Sequence, residues 1–334
     1  MEHIFVIHSH TLFLSSLGVI NKLGLKEEDV LFLFHRHYKT IIPFNYKWID
    51  ISDEFEETYY ILLSWSRKHF LLDRHQRKKS LDFFDKLVDD NVKECYCLYI
   101  PHLQGFAYQI LATNKKCKEC FYVQEGGRVM LSCLTDKIAW VWRLYNRFIL
   151  KNDKRLWKCT NWFPNENTPY NKPVTVYTFD SSYYGTSIPK ANIHIEWPNI
   201  DINIDINEDY PIFLLDGSVE LGQVELNVYN KALRKMISEQ AKMANYVKFH
   251  PMQSNVRKQE IMKMFTDLGL TVSELSDEVP FELIVVKYKN LNLLGFGTSL
   301  LFYGRAYGHH VISYEMELIG SRRYRMYSKD LPKL

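Results

Sequence analysis

The chain has 334 residues, of which 46% are hydrophobic, 15% aromatic and 24% charged. That length exceeds one ordinary domain and suits two, and the hydrophobic share excludes a disordered chain. A formal net charge of only +3 lacks the basic footprint of a dedicated nucleic-acid binder, while leaving room for an anionic small substrate or a membrane surface.

Ile4-Phe-Val-Ile7 is an apolar run that predicts a first strand, with His8-Ser9-His10 at its carboxyl end. Met1 to Ile7 carries acidic Glu2 and runs straight into that strand, without the basic region and long apolar stretch of a secretion signal. A cytoplasmic protein with reduced cysteines is therefore expected. Leu12 to Leu23 reads as a helix and Val30 to Phe34 as a strand. Tyr59 to Leu72 and Arg77 to Val88 have helical periodicity. Cys95 to Ile100 reads as a strand, Gly105 to Ala112 as a helix and Phe121 to Val123 as a strand. Strand–helix alternation predicts a parallel sheet covered by helices. Cys117-Lys-Glu-Cys120 has metal-ligand spacing, but no second pair at zinc-site spacing follows, so no metal is expected. No run of about 18 apolar residues exists to span a bilayer.

Between Pro189 and Pro211 the character changes, with Trp197-Pro198 and the run from Asp201 to Asn207. The expected organisation is an N-terminal domain over 1–190, a linker over 191–210 and a C-terminal domain over 211–334. A second alternating series starts at Pro211. Ile212 to Leu215 reads as a strand, Asn227 to Met243 as a helix, and Tyr246 to Phe249 as a strand. Gln259 to Leu268 reads as a helix, Phe281 to Tyr288 as a strand, Ser299 to Tyr307 as a helix and Val311 to Tyr314 as a strand. Two doubly wound, Rossmann-like α/β domains facing each other across a cleft make the GT-B architecture, in which ligands sit at the carboxyl ends of strands.

Four fragments fall at such positions. Gln124-Glu125-Gly126-Gly127 follows a predicted strand, and a carboxylate on a glycine turn can serve as a general base; the ordinary alternative is a solvated Glu. Lys248-Phe249-His250-Pro251 fixes a His at a strand end, for contact with a phosphate or for structure alone. Val279-Pro280-Phe281-Glu282 places a carboxylate where a strand is expected to open, either to accept ribose hydroxyls or to face solvent. Gly295-Phe-Gly297-Thr298-Ser299 leads into a helix, and glycines, two hydroxyls and a helix N-terminus make an anion site. Simple N-capping is compatible with that role.

The order of these fragments resembles the CMP-binding half of bacterial sialyltransferases: Lys-x-His-Pro, then Pro-x-Glu, then a Ser/Thr-Ser pair. Thirty-two residues separate His250 from Glu282, and seventeen separate Glu282 from Ser299. The acidic residue before Gly126 and the opening segment from Ile4 to His10 also resemble that group. The likeness spans most of the chain as architecture but about a dozen positions as motif. It implies Glu125 as the base that deprotonates the acceptor hydroxyl and His250 as the contact to the CMP phosphate that helps the leaving group depart. It further implies that Lys248 and Pro251 shape the cytidine pocket, that Glu282 binds the ribose hydroxyls, and that Gly297, Thr298 and Ser299 hold the phosphate. Two departures stand out: Gln124 replaces a common second carboxylate, and the hydroxyl pair is Thr-Ser. Because some relatives carry a catalytic acid in the second domain, Asp216 and Glu220 are alternative acid–base groups.

The implied activity is inverting transfer of sialic acid, or a related nonulosonic acid, from a CMP-sugar donor to a glycan hydroxyl of bacterial capsule or lipooligosaccharide. No divalent metal or other cofactor is required in that picture. No Asp-x-Asp triplet stands at a predicted strand end to hold a metal-bound diphosphate. His8, Ser9, His10 and His102 are candidates for contact with the acceptor, or for support of the fold. Arg67-Lys68, the run from Arg74 to Lys79, and the tail with Arg322, Arg323, Arg325, Lys329 and Lys333 are either solvated faces or a peripheral dock on the inner face of the cytoplasmic membrane, where a lipid-linked acceptor would lie. Transfer of pseudaminic, legionaminic or Kdo residues, chain-elongating polysialyl transfer, and an inactive GT-B protein acting in binding or assembly remain the alternatives.

Overall fold

The computed structural model describes residues 2–54, 67–103, 105–126, 147–148, 155, 174–181, 183, 190–200, 203–276 and 279–330. The expected helix start at Tyr59, and Gly127, Cys133, Cys159 and Lys333, lie outside them. The chain divides into two compact units: unit 1 is Met1–Glu125 with Ser132–Trp197, and unit 2 is Gly126–Leu131 with Pro198–Leu334.

Unit 1 is built on seven parallel strands: β1 Glu2–Ile7, β2 Val30–Phe34, β3 Lys47–Asp50, β4 Tyr96–Ile100, β5 Cys117–Val123, β6 Val174–Thr178 and β7 Lys190–His194. Their spatial order is β3-β2-β1-β4-β5-β6-β7. The chain thus winds outward from β1 in both directions, with the switch point between β1 and β4. Helices α1 His10–Leu23, α2 Arg67–Asn91 and α3 Phe106–Thr113 belong to this unit. The strands β2 and β4 are buried along their whole length, as expected where helices cover both faces of a parallel sheet. That is why VLFLF and YCLYI show no polar alternation. An aromatic group, Phe13, Phe32, Phe34 and Phe44 with Tyr38, packs edge-to-face beside β2. Phe13, Phe32 and Phe34, the buried rings of this group, each contribute about 1.5–3 kcal/mol from the area they remove from water.

Unit 2 has five parallel strands: β8 Ile212–Leu214, β9 Ala244–Lys248, β10 Thr271–Glu274, β11 Asn292–Gly295 and β12 His310–Ser313. The order is β10-β9-β8-β11-β12, with the switch point between β8 and β11. Its helices are α4 Leu226–Gln240, α5 Asn255–Thr266, α6 Phe281–Lys287, α7 Ser299–Ala306 and α8 Arg322–Tyr327. Its core joins Phe213, Tyr229, Leu233, Met236, Phe265, Leu294 and Phe296.

One predicted element is overturned. Phe281 to Tyr288, expected as a strand, is helix α6, and Glu282 lies in its first turn. A short apolar run with two valines does not distinguish a buried strand from a buried helix. Here Pro280 occupies the N-cap and Glu282 complements the helix dipole. The sheet position falls instead to β11, whose Asn-Leu-Leu-Gly carries no predicted element. Strands β3, β6, β7 and β10 are also absent from the sequence reading. The helix expected over Arg77 to Val88 begins by Arg67, because Leu72 to Gln76 contains no Gly or Pro to stop it.

Candidate functional site

In unit 1 the residues just beyond four neighbouring strands converge. His8 follows β1, His35 follows β2, His102 follows β4 and Glu125 follows β5. The His8 Nε2 lies 2.9 Å from Glu125 Oε2, and the His102 Nε2 lies 3.8 Å from Glu125 Oε1. The His35 ring packs on His8 with centroids 4.8 Å apart, and His35 Nε2 shares a 3.0 Å hydrogen bond with the Tyr108 hydroxyl. Tyr108 in turn meets the His102 ring edge-on. His8 and His102 flank the switch point of this sheet, where ligands of doubly wound folds gather.

Burial pulls the His102 imidazole down to about 4, with His8 and Arg36 adding to the effect and the Glu125 charge opposing it. His35 is also held well below its ordinary value, first by burial and then by His8 and Arg36. Burial alone would raise the Glu125 carboxyl; the His8 hydrogen bond and the His102, His8 and Arg36 charges outweigh it and leave the group at about 2. Because His102 is neutral above about 4, the His8 hydrogen bond and Arg36 sustain the carboxylate near neutral pH.

Of the sequence candidates in this unit, the structure gathers His8, His102 and Glu125. Ser9 instead caps α1, its hydroxyl accepting from Leu12 N at 3.3 Å. His10 Nδ1 pairs with the Tyr38 hydroxyl at 3.0 Å. Sequence reading missed His35, Tyr108 and Arg36. Gln124 has a physical explanation: it is fully buried, and its Oε1 accepts from Asp180 N at 3.1 Å. An amide makes that bond without burying a charge.

In unit 2 the loops after β9, β8 and β11 lie side by side, since β8 pairs with both neighbours. His250 Nδ1 accepts from Met252 N at 3.2 Å, and His250 N donates to Gln253 Oε1 at 2.9 Å. With Nδ1 engaged as an acceptor, the neutral ring carries its proton on Nε2. Gly217, after β8, lies flat against that ring: a Cβ there would stand 2.7 Å from His250 Nδ1. Asp216 does not reach outward, because its Oδ1 accepts from Ser218 N at 3.1 Å and from Ser218 Oγ at 2.6 Å. Glu220 Oε2 is buried without a hydrogen-bond partner, near Tyr229, whose hydroxyl is held well above its usual range by burial first and by Asp216 and Glu220 next. Asp216 and Glu220 thus belong to the packing around Tyr229.

Lys248 is buried, and its Nζ donates to Ser276 O at 2.5 Å and Val279 O at 3.3 Å. It ties the loop preceding Pro280 to the end of β9, and so holds buried Glu282 on that side of the sheet. Pro251 is exposed at the turn after His250. The Gly295–Gly297 passage is fixed by Tyr314 N donating to Gly295 O at 2.7 Å and Ser313 Oγ donating to Phe296 O at 2.8 Å. A Cβ on Gly295 would meet Leu214 O at 2.6 Å, so only glycine fits there. Thr298 is the N-cap of α7, its hydroxyl accepting from Leu300 N, and Ser299 opens the helix. A helix start of this kind presents N–H groups and the positive end of the dipole to an anion. Among the described residues, no group of three or more His, Cys, Asp or Glu side chains is placed to hold a metal ion. No described helix is long and apolar enough to cross a membrane.

Neither a family model nor a curated protein matches the sequence. Solved structures do resemble the fold. The spinosyn rhamnosyltransferase SpnG, in complex with thymidine diphosphate, matches at TM-score 0.50 and 10% identity over 98% of this chain and 94% of that one. The S. aureus protein MnaA with UDP matches at TM-score 0.48 and 13% identity over 94% and 79%. A sialyltransferase from Photobacterium damsela matches at TM-score 0.42 and 13% identity over 98% and 78%. The fold, two Rossmann-like units each on a parallel sheet, is that of the GT-B glycosyltransferases.

Proposed function

We propose that this chain is an inverting glycosyltransferase that moves sialic acid, or a related nonulosonic acid, from a CMP donor to a glycan hydroxyl without a divalent ion. The observation that carries the reading is the carboxyl edge of unit 2. There Gly217 admits the His250 ring, Met252 N takes up Nδ1 so that Nε2 keeps a proton to give, and α7 opens alongside. In this reading His250 Nε2–H and the first-turn N–H groups of α7, with Ser299, neutralise the single phosphate of CMP as it leaves. Glu282 takes the ribose hydroxyls, while Lys248 acts through the loop it holds.

The reaction forms a C–O bond between the acceptor oxygen and the anomeric carbon and breaks the bond from that carbon to the CMP phosphate oxygen. The acceptor proton goes to Glu125. A carboxyl near 2 is a weak base, which fits late proton removal, after the new bond has made the acceptor oxygen acidic. Exposed Arg322, Arg323 and Arg325 would dock the enzyme on anionic lipid bearing its acceptor; co-sedimentation with anionic but not neutral vesicles checks that part.

The central test is calorimetric melting with CMP, CMP-sialic acid, UDP, GDP and thymidine diphosphate. The two CMP ligands should stabilise the protein, by about 2.7 kcal/mol at a hundredfold excess over Kd. His250→Ala and Glu282→Ala should lose that stabilisation. Protection by a nucleoside diphosphate without protection by CMP would replace this reading with a diphosphate-sugar transferase.

A further inference from the structure

The turn that carries His250 leads directly into α5, and it is fastened twice to Gln253. The buried Gln253 side chain accepts from His250 N at 2.9 Å through Oε1, and Gln253 N donates to His250 O at 2.9 Å. Ser254 then caps α5, its hydroxyl accepting from Arg257 N at 3.2 Å. The place of His250 therefore follows the first turn of α5, and Arg257 anchors that turn to the core of unit 2.

Arg257 is an unusual choice for an anchor. It is only 7% exposed. Its Nη2 donates to Asn230 Oδ1 on α4 at 2.5 Å, and its Nη1 donates to Glu260 Oε2 at 3.2 Å. The Glu260 side chain is 54% exposed, so the two do not form a buried ion pair. Arg257 Nε is buried without a hydrogen-bond partner. A methionine or leucine would fill the space without burying a charge and an unpaired N–H, so packing alone does not call for arginine.

What the guanidinium reaches is the ring of Tyr229, with Cζ 5.6 Å from the centroid. That ring in turn lies 4.8 Å from Phe296, inclined at 56°. Phe296 stands between Gly295 and Gly297, in the loop that opens α7. Both rings are 0% exposed, and rings in a close-packed core do not shift one at a time. A continuous line of contact thus runs from the His250 turn through Arg257 and Tyr229 to the loop after β11.

We propose that Arg257 is a positioning residue for the donor site. Through the Tyr229 and Phe296 rings it ties the His250 turn to the loop that opens α7, so that the imidazole donor and the anion cradle keep one spacing. The inference rests on the CMP reading for the identity of the phosphate they hold, but not for the link itself.

The first test is a double-mutant cycle on CMP affinity, measured by isothermal calorimetry. His250→Ala should weaken CMP about tenfold or more, as expected for loss of a hydrogen bond to a charged group. Arg257→Met should weaken it about fivefold to thirtyfold, within the range for a residue that acts through others. With His250 gone there is no spacing left to keep, so the double variant should bind within about twofold of His250→Ala alone. An arginine that only supported the core would lower the melting temperature in both backgrounds, and its effect on CMP would multiply with that of His250→Ala; that product overturns the proposal. The second test needs no ligand. In protein labelled with 13C-histidine, the signal that vanishes in His250→Ala reports that ring. Arg257→Met should shift it, and so should Phe296→Leu, at the far end of the link. A His250 signal unmoved in both variants overturns the proposal, whatever their melting temperatures. Should CMP fail to bind wild type, the donor reading falls, and the histidine signal alone decides whether the link exists.

Discussion

Lowering the pH from 7.5 to 5 should destabilise unit 1 through His102, and the amount can be worked out. His102 is 6% exposed and titrates at about 4 in the folded protein, chiefly because burial penalises the cation. Released into the unfolded chain it titrates near its ordinary 6.5. Between these values the unfolded state holds the extra proton, so stability falls as the pH drops from about 6.5 to about 4 and levels out below. The loss at pH 5 is about 2 kcal/mol, and across the whole window about 3 kcal/mol. His35, also depressed by burial, pushes the same way. Glu125 does not interfere: its carboxyl is lowered to about 2, so its contribution is present above about 4.3 and is lost only below that. All seven Trp residues lie between Trp48 and Trp197, hence in unit 1, and tryptophan emission during urea unfolding reports that unit alone. Wild type and His102→Gln are each unfolded at pH 7.5 and pH 5. The glutamine variant should lose about 2 kcal/mol less on acidification, whatever its stability at pH 7.5. Equal losses in the two proteins, within ~0.5 kcal/mol, would refute the claim that the folded state keeps His102 neutral.

Gly217→Ala should cost about 1–3 kcal/mol, because the new methyl overlaps the His250 ring; adding His250→Ala should recover most of it, a coupling that calorimetric melting of both single variants and the double variant would reveal. Lys248→Met should cost about 1–3 kcal/mol by leaving the Ser276 and Val279 carbonyls without their shared donor, with hydrogen exchange rising first in the loop before Pro280. Gln124→Glu should lower the stability of unit 1 by several kcal/mol, since it buries an ion at a fully buried site, and the loss should lessen at pH 4, where the new carboxyl protonates. Glu125→Gln should leave protection by CMP unchanged while lowering kcat about a hundredfold or more in a sialyl-transfer assay; loss of CMP protection in that variant would mean that Glu125 does not act as a base alone.

The strongest sequence signals were continuous apolar runs. Ile4 to Ile7, Val30 to Phe34 and Ile212 to Leu215 are buried parallel strands, and each announced itself by lacking polar alternation. Edge strands gave no such signal: β3 is largely exposed and reads KWID, and β10 reads TVSE. Helix α6 failed for the opposite reason, being buried from Phe281 to Val285 and too short for periodicity to speak. At the site, Glu125, His102 and His250 were legible because each stands beside a glycine or proline at the end of an apolar run or before a predicted helix. His35 and Arg36 were equally placed after a run, but nothing local marks them. Their importance comes from the register His3↔Val30 to Ile7↔Phe34, which brings His35 abreast of His8, and from a left-handed turn that no residue type in the stretch predicts. The Gln124 departure was legible as an anomaly only; its reason, a bond to Asp180, spans 56 positions of sequence.

The two switch points are furnished with opposite chemistry. Beyond β1 and β4, His8 and His102 converge on one carboxylate, an arrangement that accepts a proton. Beyond β8 and β11 the residues are a glycine, a threonine cap and a helix start, with a histidine from β9 whose free ring nitrogen is a donor, an arrangement that gives hydrogen bonds and receives negative charge. The proposed function would need both: one oxygen must lose a proton as the other gains a formal charge. A single sheet offers one switch point, and placing a base and an anion cradle there together would pair them with each other and quench both. Building each function on its own sheet leaves the Glu125 carboxylate held ionised by the His8 hydrogen bond and the Arg36 charge of its own unit.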